Sequence, residues 1–507
     1  MGQGLSKSQY TKYRQCDKSL WLRYNKPETA IENPQLATRF QAGNEVGDLA
    51  MLLFGDYTEV TTTKADGNLD LKTMIAKTQQ CLQVGTENIC EASFLFDGCY
   101  CAVDILRKTA EGYAIYEVKS SSTSEDEEDK ATAKTEVYAQ DISYQKWVLT
   151  QCGIQVSETY LIRLNSDYVR GDELDIKQLF IITDMAEAVA NEYPKIEHYI
   201  NAAHSTLMSK VEPNADLSVY CHKPYRCEFW DYCTKHIPHP SVFDLYKKRF
   251  DGKLKLYNEN KIKFEDLSKE KLTDFQQVQV ECTLENKTYI NNEAIRDFMR
   301  QLSYPLYFLD FETMQVVVPQ YPGTRPYQQI TFQCSLHYIE HEGGELKHKE
   351  FLGVSGEDPR RALAEQLCKD IPMNVCVTAY NKSFECTRIK ELAEAYPDLA
   401  SHLLNIRDHI VDLWDPFKAG HYYVPAMGGS TSIKYVLPAL WPNEPSLDYH
   451  NLDERCQNGG DAMSIFPRIK DMEPSEQEAA RKALLDYCCL DTYAMVKVWE
   501  RLKESVL

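Results

Sequence analysis

The chain is expected to fold as α/β, in two separate units. Three observations say so. Its 507 residues exceed what one ordinary hydrophobic core organises. The first half carries a β-hairpin pattern, FLFDGCYCAVDILRKTAEGYAIYEVKSSS, with Glu111 and Gly112 at the turn. The second half opens on the apolar strand YPLYFLDFE and continues through strand–turn–helix patterns to a long periodic helix. Between the two runs a charged, helix-prone stretch from Val242 to Arg300. The expected division is 1–240, a helical connector over 241–300, and 301–507.

Composition narrows the class. A chain 43% hydrophobic and 26% charged reads as soluble, and none of its apolar runs reaches the roughly 20 residues of a membrane helix. The opening MGQGLSKSQYTKYRQC has no apolar leader pattern. Gly2 with Ser6 fits the short myristoylation pattern, but the rest does not read as lipid-anchored. The 17 cysteines then point to the reducing cytoplasm, most of them as small buried hydrophobes. A net charge of −20 argues against coating long duplexes. It is compatible with carboxylates that hold divalent cations, which in turn meet phosphates. The charge run from Ser120 to Lys130 reads as a solvated loop.

In the second unit, Asp310 and Glu312 stand two apart in an apolar strand, so both project from one face. Placing two carboxylates there is costly unless they bind a cation; the alternative is a strand end whose acids reach solvent. A second strand ends at Tyr380, Asn381 opens a turn, and a helix carries Glu385. In the last helix, Ser475 and Glu478 form a capping-box pattern. Leu484, Tyr487, Leu490, Ala494, Val498 and Leu502 keep a helical period there. Tyr487 and Asp491 share one face; the plain alternative is a half-buried tyrosine beside a surface acid. Asp412 and Asp415 read as supporting acids. Gly428, Gly429 and Ser430 make a turn before Lys434, which either reaches a phosphate or is an ordinary surface lysine.

The D-x-E strand, N-x-x-x-acid turn and Y-x-x-x-D helix, in that order, resemble the DnaQ-like or DEDD exonucleases of the tyrosine subtype. The resemblance implies an RNase H-like domain with a mixed sheet and 3′→5′ exonuclease activity. Asp310, Glu312, Glu385 and Asp491 would be the metal carboxylates, and Tyr487 would orient the attacking water. Glu385 departs from the family's aspartate by one methylene. Two Mg²⁺ or Mn²⁺ ions about 4 Å apart would flank the scissile phosphate. All-carboxylate ligands suit such hard cations.

In the first unit, Asp104 lies on one hairpin strand, and Glu117 and Lys119 lie on one face of the other. Two carboxylates can hold a metal while the lysine polarises the nucleophile; the alternative is a cross-strand ion pair. A helix with Gly43, Glu45 and Gly47 precedes, and an amphipathic helix with Tyr144 and Gln145 follows. This order resembles PD-(D/E)xK nucleases of the RecB-like and CRISPR-associated exonuclease type. The resemblance implies a restriction-endonuclease-like domain in which Asp104 and Glu117 bind metal and Lys119 and Gln145 complete the catalytic set. Many members place a histidine where this chain has Gly47, and Glu45 is the nearby substitute.

Cys221, Cys227 and Cys233 recur at regular spacing, and Cys16 stands far upstream. The four resemble the iron–sulfur staple of the same nucleases, which implies a [4Fe–4S] cluster, with zinc as the alternative donor match. Four unrelated buried cysteines are the remaining reading. A cluster would close the long loop between Cys16 and Cys221. Tyr225, Arg226, Phe229, Trp230 and Lys235 around it either clamp single-stranded nucleic acid or pack the cluster. The whole order resembles a bacterial family of uncharacterised proteins that fuses a RecB-like nuclease with a DnaQ-like exonuclease. The expectation is a metal-dependent nuclease acting on DNA or RNA ends, single-stranded ones above all, with no membrane partner. The alternative is a nucleic-acid-binding or interaction protein with one or both sites inactive.

Overall fold

The computed structural model describes residues 4–31, 36–122, 128–223 and 225–507, without the side chains of 36–41 and 128–134. Gly2 of the myristoylation pattern lies outside these residues. The chain is mixed α/β and divides into two compact units. One comprises Met1–His236 with Val316–Gln328, the other Ile237–Gln315 with Gln329–Leu507. Among the described residues, no helix is long and apolar enough to cross a membrane.

The first unit is built on a seven-stranded sheet. Its strands are β1 (Leu5–Ser6), β2 (Thr58–Glu59), β3 (Asn88–Phe96), β4 (Cys99–Lys108), β5 (Tyr113–Ser122), β6 (Val156–Leu164) and β7 (Phe180–Asp184). They run in the order β2-β3-β4-β5-β6-β7, with β1 pairing β4. The predicted hairpin is present: β4 and β5 pair antiparallel, and β5 then pairs parallel with β6. The helix Glu128–Gln151 covers β3 to β6 with the buried Ile142, Tyr144, Val148 and Leu149. Tyr144 serves the packing: its hydroxyl donates to the Leu5 carbonyl at 2.5 Å, and its ring stacks on Tyr10. The charge run differs from the expected loop. Ser120–Ser122 continue β5, because pairing with β6 reaches Ser122, and Glu128 already opens the next helix. Residues 123–127 of the expected loop lie outside the described residues.

In the second unit a short ribbon pairs β8 (Tyr289–Ile290) with β14 (Tyr422–Tyr423). The main sheet contains β9 (Leu306–Gln315), β10 (Gln329–Ile339), β11 (Leu346–Leu352), β12 (Cys376–Ala379) and β13 (Ile410–Asp412). Its order is β11-β10-β9-β12-β13, antiparallel across β9, β10 and β11 and parallel across β9, β12 and β13. Strand parity divides β9 between two surroundings. Tyr307, Leu309 and Phe311 enter the core with Leu363, Ile389 and Leu403. Phe308, Asp310 and Glu312 take the other face, where the Phe308 ring meets Trp499 of the C-terminal helix Pro474–Glu504. That helix buries Leu484, Tyr487, Leu490, Ala494, Val498 and Leu502, the predicted stripe. Its start departs from the expected capping box. Pro474 is the first helical residue after Glu473, and no side-chain cap bond forms, so Ser475 falls inside the first turn. The stretch from Val242 is α-helical in three pieces, Phe250–Asn258, Asp274–Glu285 and Asn292–Met299, and builds a small core of its own around Leu245, Phe264 and Val280.

Candidate functional site

The second unit gathers Asp310, Glu312, Glu385, Tyr487 and Asp491 into one acidic group, all of it buried but Asp310, which is half-buried. β9 presents the first two acids. Asn381, at φ 71, turns the chain from β12 into the helix Ser383–Ala395, which buries Glu385 in its first turn. The C-terminal helix supplies Tyr487 and Asp491. Ligand atoms of Asp310, Glu312 and Cys488 lie within 4.8 Å of one another. Burial raises the Asp310 carboxyl well above its usual range, and Asp491, Glu312 and Glu385 raise it further. Burial and Asp491 do the same to Glu312 against the opposing pull of Lys434. Burial pushes Glu385 up to about 8, with Asp412 adding to it. Asp491 also rises by burial, although the Tyr449 hydroxyl donates to its Oδ1 at 2.6 Å. Two carboxylates held about 4 Å apart repel by roughly 4 kcal/mol at an effective dielectric near 20. Either protons or cations must therefore fill this group.

The donor set fits a hard divalent cation. Four acids face one small region, and all rise even with Lys434 and Arg388 beside them. Glu385 Oε2 is buried with no hydrogen-bond partner among the described residues. A buried acceptor left so is costly, and a cation satisfies it. Lys434 stands beside the acids: its Nζ lies 3.2 Å from the Tyr487 hydroxyl and over the Tyr449 ring. Sequence reasoning missed Tyr449, which no local pattern singles out, and Cys488, whose Sγ donates to Asp310 Oδ2 at 3.7 Å. Asp412 is a supporting acid: it accepts from the amides of Asn381 at 2.8 Å and Trp414 at 3.0 Å, fixing the turn before Glu385. Asp415 lies apart, in the short helix Asp415–Lys418.

The first unit gathers Asp104, Glu117, Lys119 and Gln145. The β4–β5 ladder stops at Ile105 opposite Tyr116, and the Asp104 carboxylate takes the freed Val118 amide at 2.6 Å. Glu117 is 1% exposed and heavily compensated. Lys7 reaches both its oxygens, at 2.8 and 3.0 Å; Lys119 reaches Oε1 at 2.7 Å; Gln145 donates to Oε2 at 2.6 Å. Lys119 also pairs with Asp141 at 2.7 Å. Burial alone would raise Glu117, but Lys119 and Lys7 outweigh it and hold the carboxyl down to about 2. Asp104 goes the other way, to about 6, through burial and the charge of Glu117. Gln145 Oε1 is buried without a partner among the described residues, an open acceptor beside the acids.

A third acid stands here that sequence reasoning missed. Glu91 lies on β3 between the pairs Cys90–Ile105 and Ala92–Val103, hence opposite Asp104. Its φ of 57 is the left-handed region, which costs a non-glycine residue roughly 1–2 kcal/mol. Such strain is concentrated at functional sites. Burial and Asp104 push its carboxyl up to about 8. The signal was present in sequence: an acid inside the apolar run NICEASFLF, the same signal that marked Asp310. Glu45, the expected substitute, is exposed on the helix Leu36–Met51. Gly47 has room around it: a Cβ there would meet nothing within 4 Å among the described residues.

Cys16, Cys221, Cys227 and Cys233 line a single cavity, and all four are free thiols. Cys227 and Cys233 pack against Trp21, Leu22 and Phe229. Burial pushes Cys233 up to about 11, with the other three sulfurs adding to it. Four unbridged sulfurs drawn together from such distant positions fit a thiolate-bound cluster or zinc. Of the surrounding residues, Phe229 is fully buried and packs the cavity, whereas Tyr225 is 66% exposed. Arg226 pairs with Asp231 at 2.6 Å and lies over Trp230, and Lys235 lies over Tyr232.

Residues 307–432 match a family described as a domain of unknown function, DUF2779. The span runs from within β9 through β13, and so includes Asp310, Glu312 and Glu385, but stops before the C-terminal helix. A curated relative, the uncharacterized protein UU173 of Ureaplasma parvum serovar 3, is 28% identical over 186 residues. The match covers 34% of this chain and 26% of the relative, so the chain spans about a quarter of that protein.

Proposed function

We propose that this protein is a metal-dependent nuclease that shortens DNA or RNA, single strands above all, from the 3′ end at the Asp310 group. The observation that carries the reading is the convergence of Asp310 and Glu312 of the central strand with Glu385 and Asp491 of two helices, all but Asp310 buried and all with raised carboxyls. The strand order β11-β10-β9-β12-β13, with acids on the central strand and a long helix across them, supports an RNase H-like assignment. The four acids would hold Mg²⁺ or Mn²⁺. The bound metal would supply a water of lowered pKa and stabilise the leaving 3′ oxygen. The protein's own groups do the rest. Burial and the neighbouring acids raise the Tyr487 hydroxyl, so it stays neutral and orients a water by hydrogen bonding rather than removing its proton. Lys434 beside it offers the positive charge a phosphate requires.

The Asp104 group supports a second hydrolytic site of the restriction-endonuclease-like kind, with Asp104, Glu117 and Glu91 as metal acids and Lys119 and Gln145 around the nucleophile. Lys7 favours a competing reading for this unit alone. With Lys7 and Lys119 already on Glu117, the carboxylate is neutralised without metal, as in a unit that only binds nucleic acid. The four cysteines would hold a [4Fe–4S] cluster or zinc that ties Cys16 to the Cys221–Cys233 segment.

The test is Mn²⁺-dependent degradation of 5′-labelled and 3′-labelled single-stranded DNA and RNA, comparing the wild type with Asp310→Ala and Glu117→Ala. A ladder shortening from the 3′ end and lost in Asp310→Ala is the expected result. Cleavage that survives Asp310→Ala but not Glu117→Ala would move the chemistry to the first unit. No cleavage by anaerobically purified protein would favour the binding reading.

A further inference from the structure

One strand over from Asp310, on the same face of the sheet, lies a donor group of different chemistry. His337 on β10 stands directly opposite His348 on β11, with ring centroids 4.4 Å apart. The C-terminal helix passes over both and contributes Cys489. One ligand atom from each of the three lies within 4.8 Å of the others. Successive helix residues point about 100° apart. Cys488 and Cys489 therefore divide between two centres, the first on Asp310 and the second on the histidine pair.

We propose that His337, His348 and Cys489 form a zinc site that fastens the β10–β11 edge of the sheet to the helix carrying Tyr487 and Asp491. Two imidazoles and a thiolate select zinc over Mg²⁺ or Mn²⁺, whereas the carboxylates beside them select the reverse. One unit thus holds two centres sorted by donor hardness.

Hydroxyls hold one nitrogen of each ring. The Thr492 hydroxyl meets His337 Nδ1 at 2.7 Å and Ser335 Oγ at 2.7 Å, and Ser335 Oγ meets His348 Nε2 at 2.9 Å. A metal would then take the other two nitrogens, His337 Nε2 and His348 Nδ1. A metal-binding histidine is oriented in this way, through a bond from its other nitrogen. Tetrahedral zinc wants its ligand atoms roughly 3.5 Å apart, so side-chain closure of about 1 Å completes the three. Glu350 on β11, opposite Ser335 on the same face, or a water takes the fourth position.

The site does not depend on the nuclease reading, and its test separates the two. Wild type, Cys489→Ser, His348→Gln and Asp310→Ala are loaded with Co²⁺ as a zinc probe, and bound metal is counted by mass spectrometry. Thiolate-to-cobalt absorption and thermal unfolding with and without chelator are recorded alongside. The expected result is one metal equivalent fewer in Cys489→Ser and in His348→Gln, and none lost from this site in Asp310→Ala. Chelation should lower the wild-type melting temperature by more than it lowers that of either site variant. His348→Gln, on the edge strand, serves if Cys489→Ser fails to fold. Equal metal content in wild type and a folded site variant overturns the proposal. So does an equivalent lost in Asp310→Ala but kept in Cys489→Ser, which would place the metal on the carboxylates.

Discussion

The two acidic groups meet the same electrostatic problem with opposite means. In the first unit, Lys7 and Lys119 close on Glu117 and hold it ionised, at about 2, although it is buried. In the second, Asp310, Glu312, Glu385 and Asp491 all rise, although Lys434 pulls on Glu312 and Asp491 and Arg388 pulls on Glu385. Glu117 carries its countercharge in the chain, whereas Asp104 and Glu91 beside it, like the whole second group, rise and must take protons or metal from solution. Burial depth does not separate them, since Glu117 and Glu385 are both buried. The difference lies in which side chains the fold brings within reach.

The largest break in this comparison is Asp310→Ala. Under the proposed function, the rate of 3′ shortening in Mn²⁺ falls by more than roughly a hundredfold, beyond the range of groups that merely support a metal ligand. Gel kinetics on end-labelled strands measure it, and an unchanged rate would remove the second unit from the chemistry.

Next in size is Glu385→Gln, which sharpens the contrast from the other side. A carboxyl raised to about 8 destabilises the fold at neutral and higher pH, and the penalty is relieved as pH falls from there toward 4.5. Without metal, the variant is expected to be more stable than wild type by about 4 kcal/mol at pH 8 and by nearly nothing at pH 4. Denaturant melts at the two pH values, in chelator, decide it, and equal stability at pH 8 contradicts the assigned burial of charge.

Lys7→Met takes one of two cations from a buried carboxylate. Losing a sole partner of a buried charge costs about 3–5 kcal/mol; with Lys119 still in place and Lys7 partly exposed, about 2 kcal/mol is expected. The sign with pH follows from the depressed pKa. Glu117 stabilises the fold fully above its ordinary 4.5, and that stability is lost as pH falls toward about 2. The gap between wild type and Lys7→Met in urea unfolding therefore narrows as pH drops from 7 to 3. A gap that does not depend on pH would mean that Lys7 acts by packing alone.

The smallest effect is the stabilisation of wild type by Mn²⁺. Because the metal competes with protons on the same acids, the rise in melting temperature is expected to be larger at pH 8 than at pH 5. In Asp310→Ala the rise shrinks at both. A rise of equal size in that variant would point to binding elsewhere.

Much of this was legible along the chain because it depends on local period. Two-residue spacing set Asp310 and Glu312 on one face of β9. The 3.6-residue period named the buried stripe of the last helix, and Asn381 marked the turn that delivers Glu385. The hairpin around Gly112 placed Asp104 near Glu117 for the same reason. Period and turn chemistry are properties of neighbouring residues, so a sequence alone determines them. The acids' partners are another matter. Lys7 reaches Glu117 from the N-terminal helix, Tyr449 reaches Asp491 from a separate turn, and His337 finds Cys489 across two elements. Only the tertiary structure decided these meetings, and with them the charge of each group. A carboxyl's proton affinity is set by its burial and by the charges around it, and those charges come from parts of the chain that no local pattern connects.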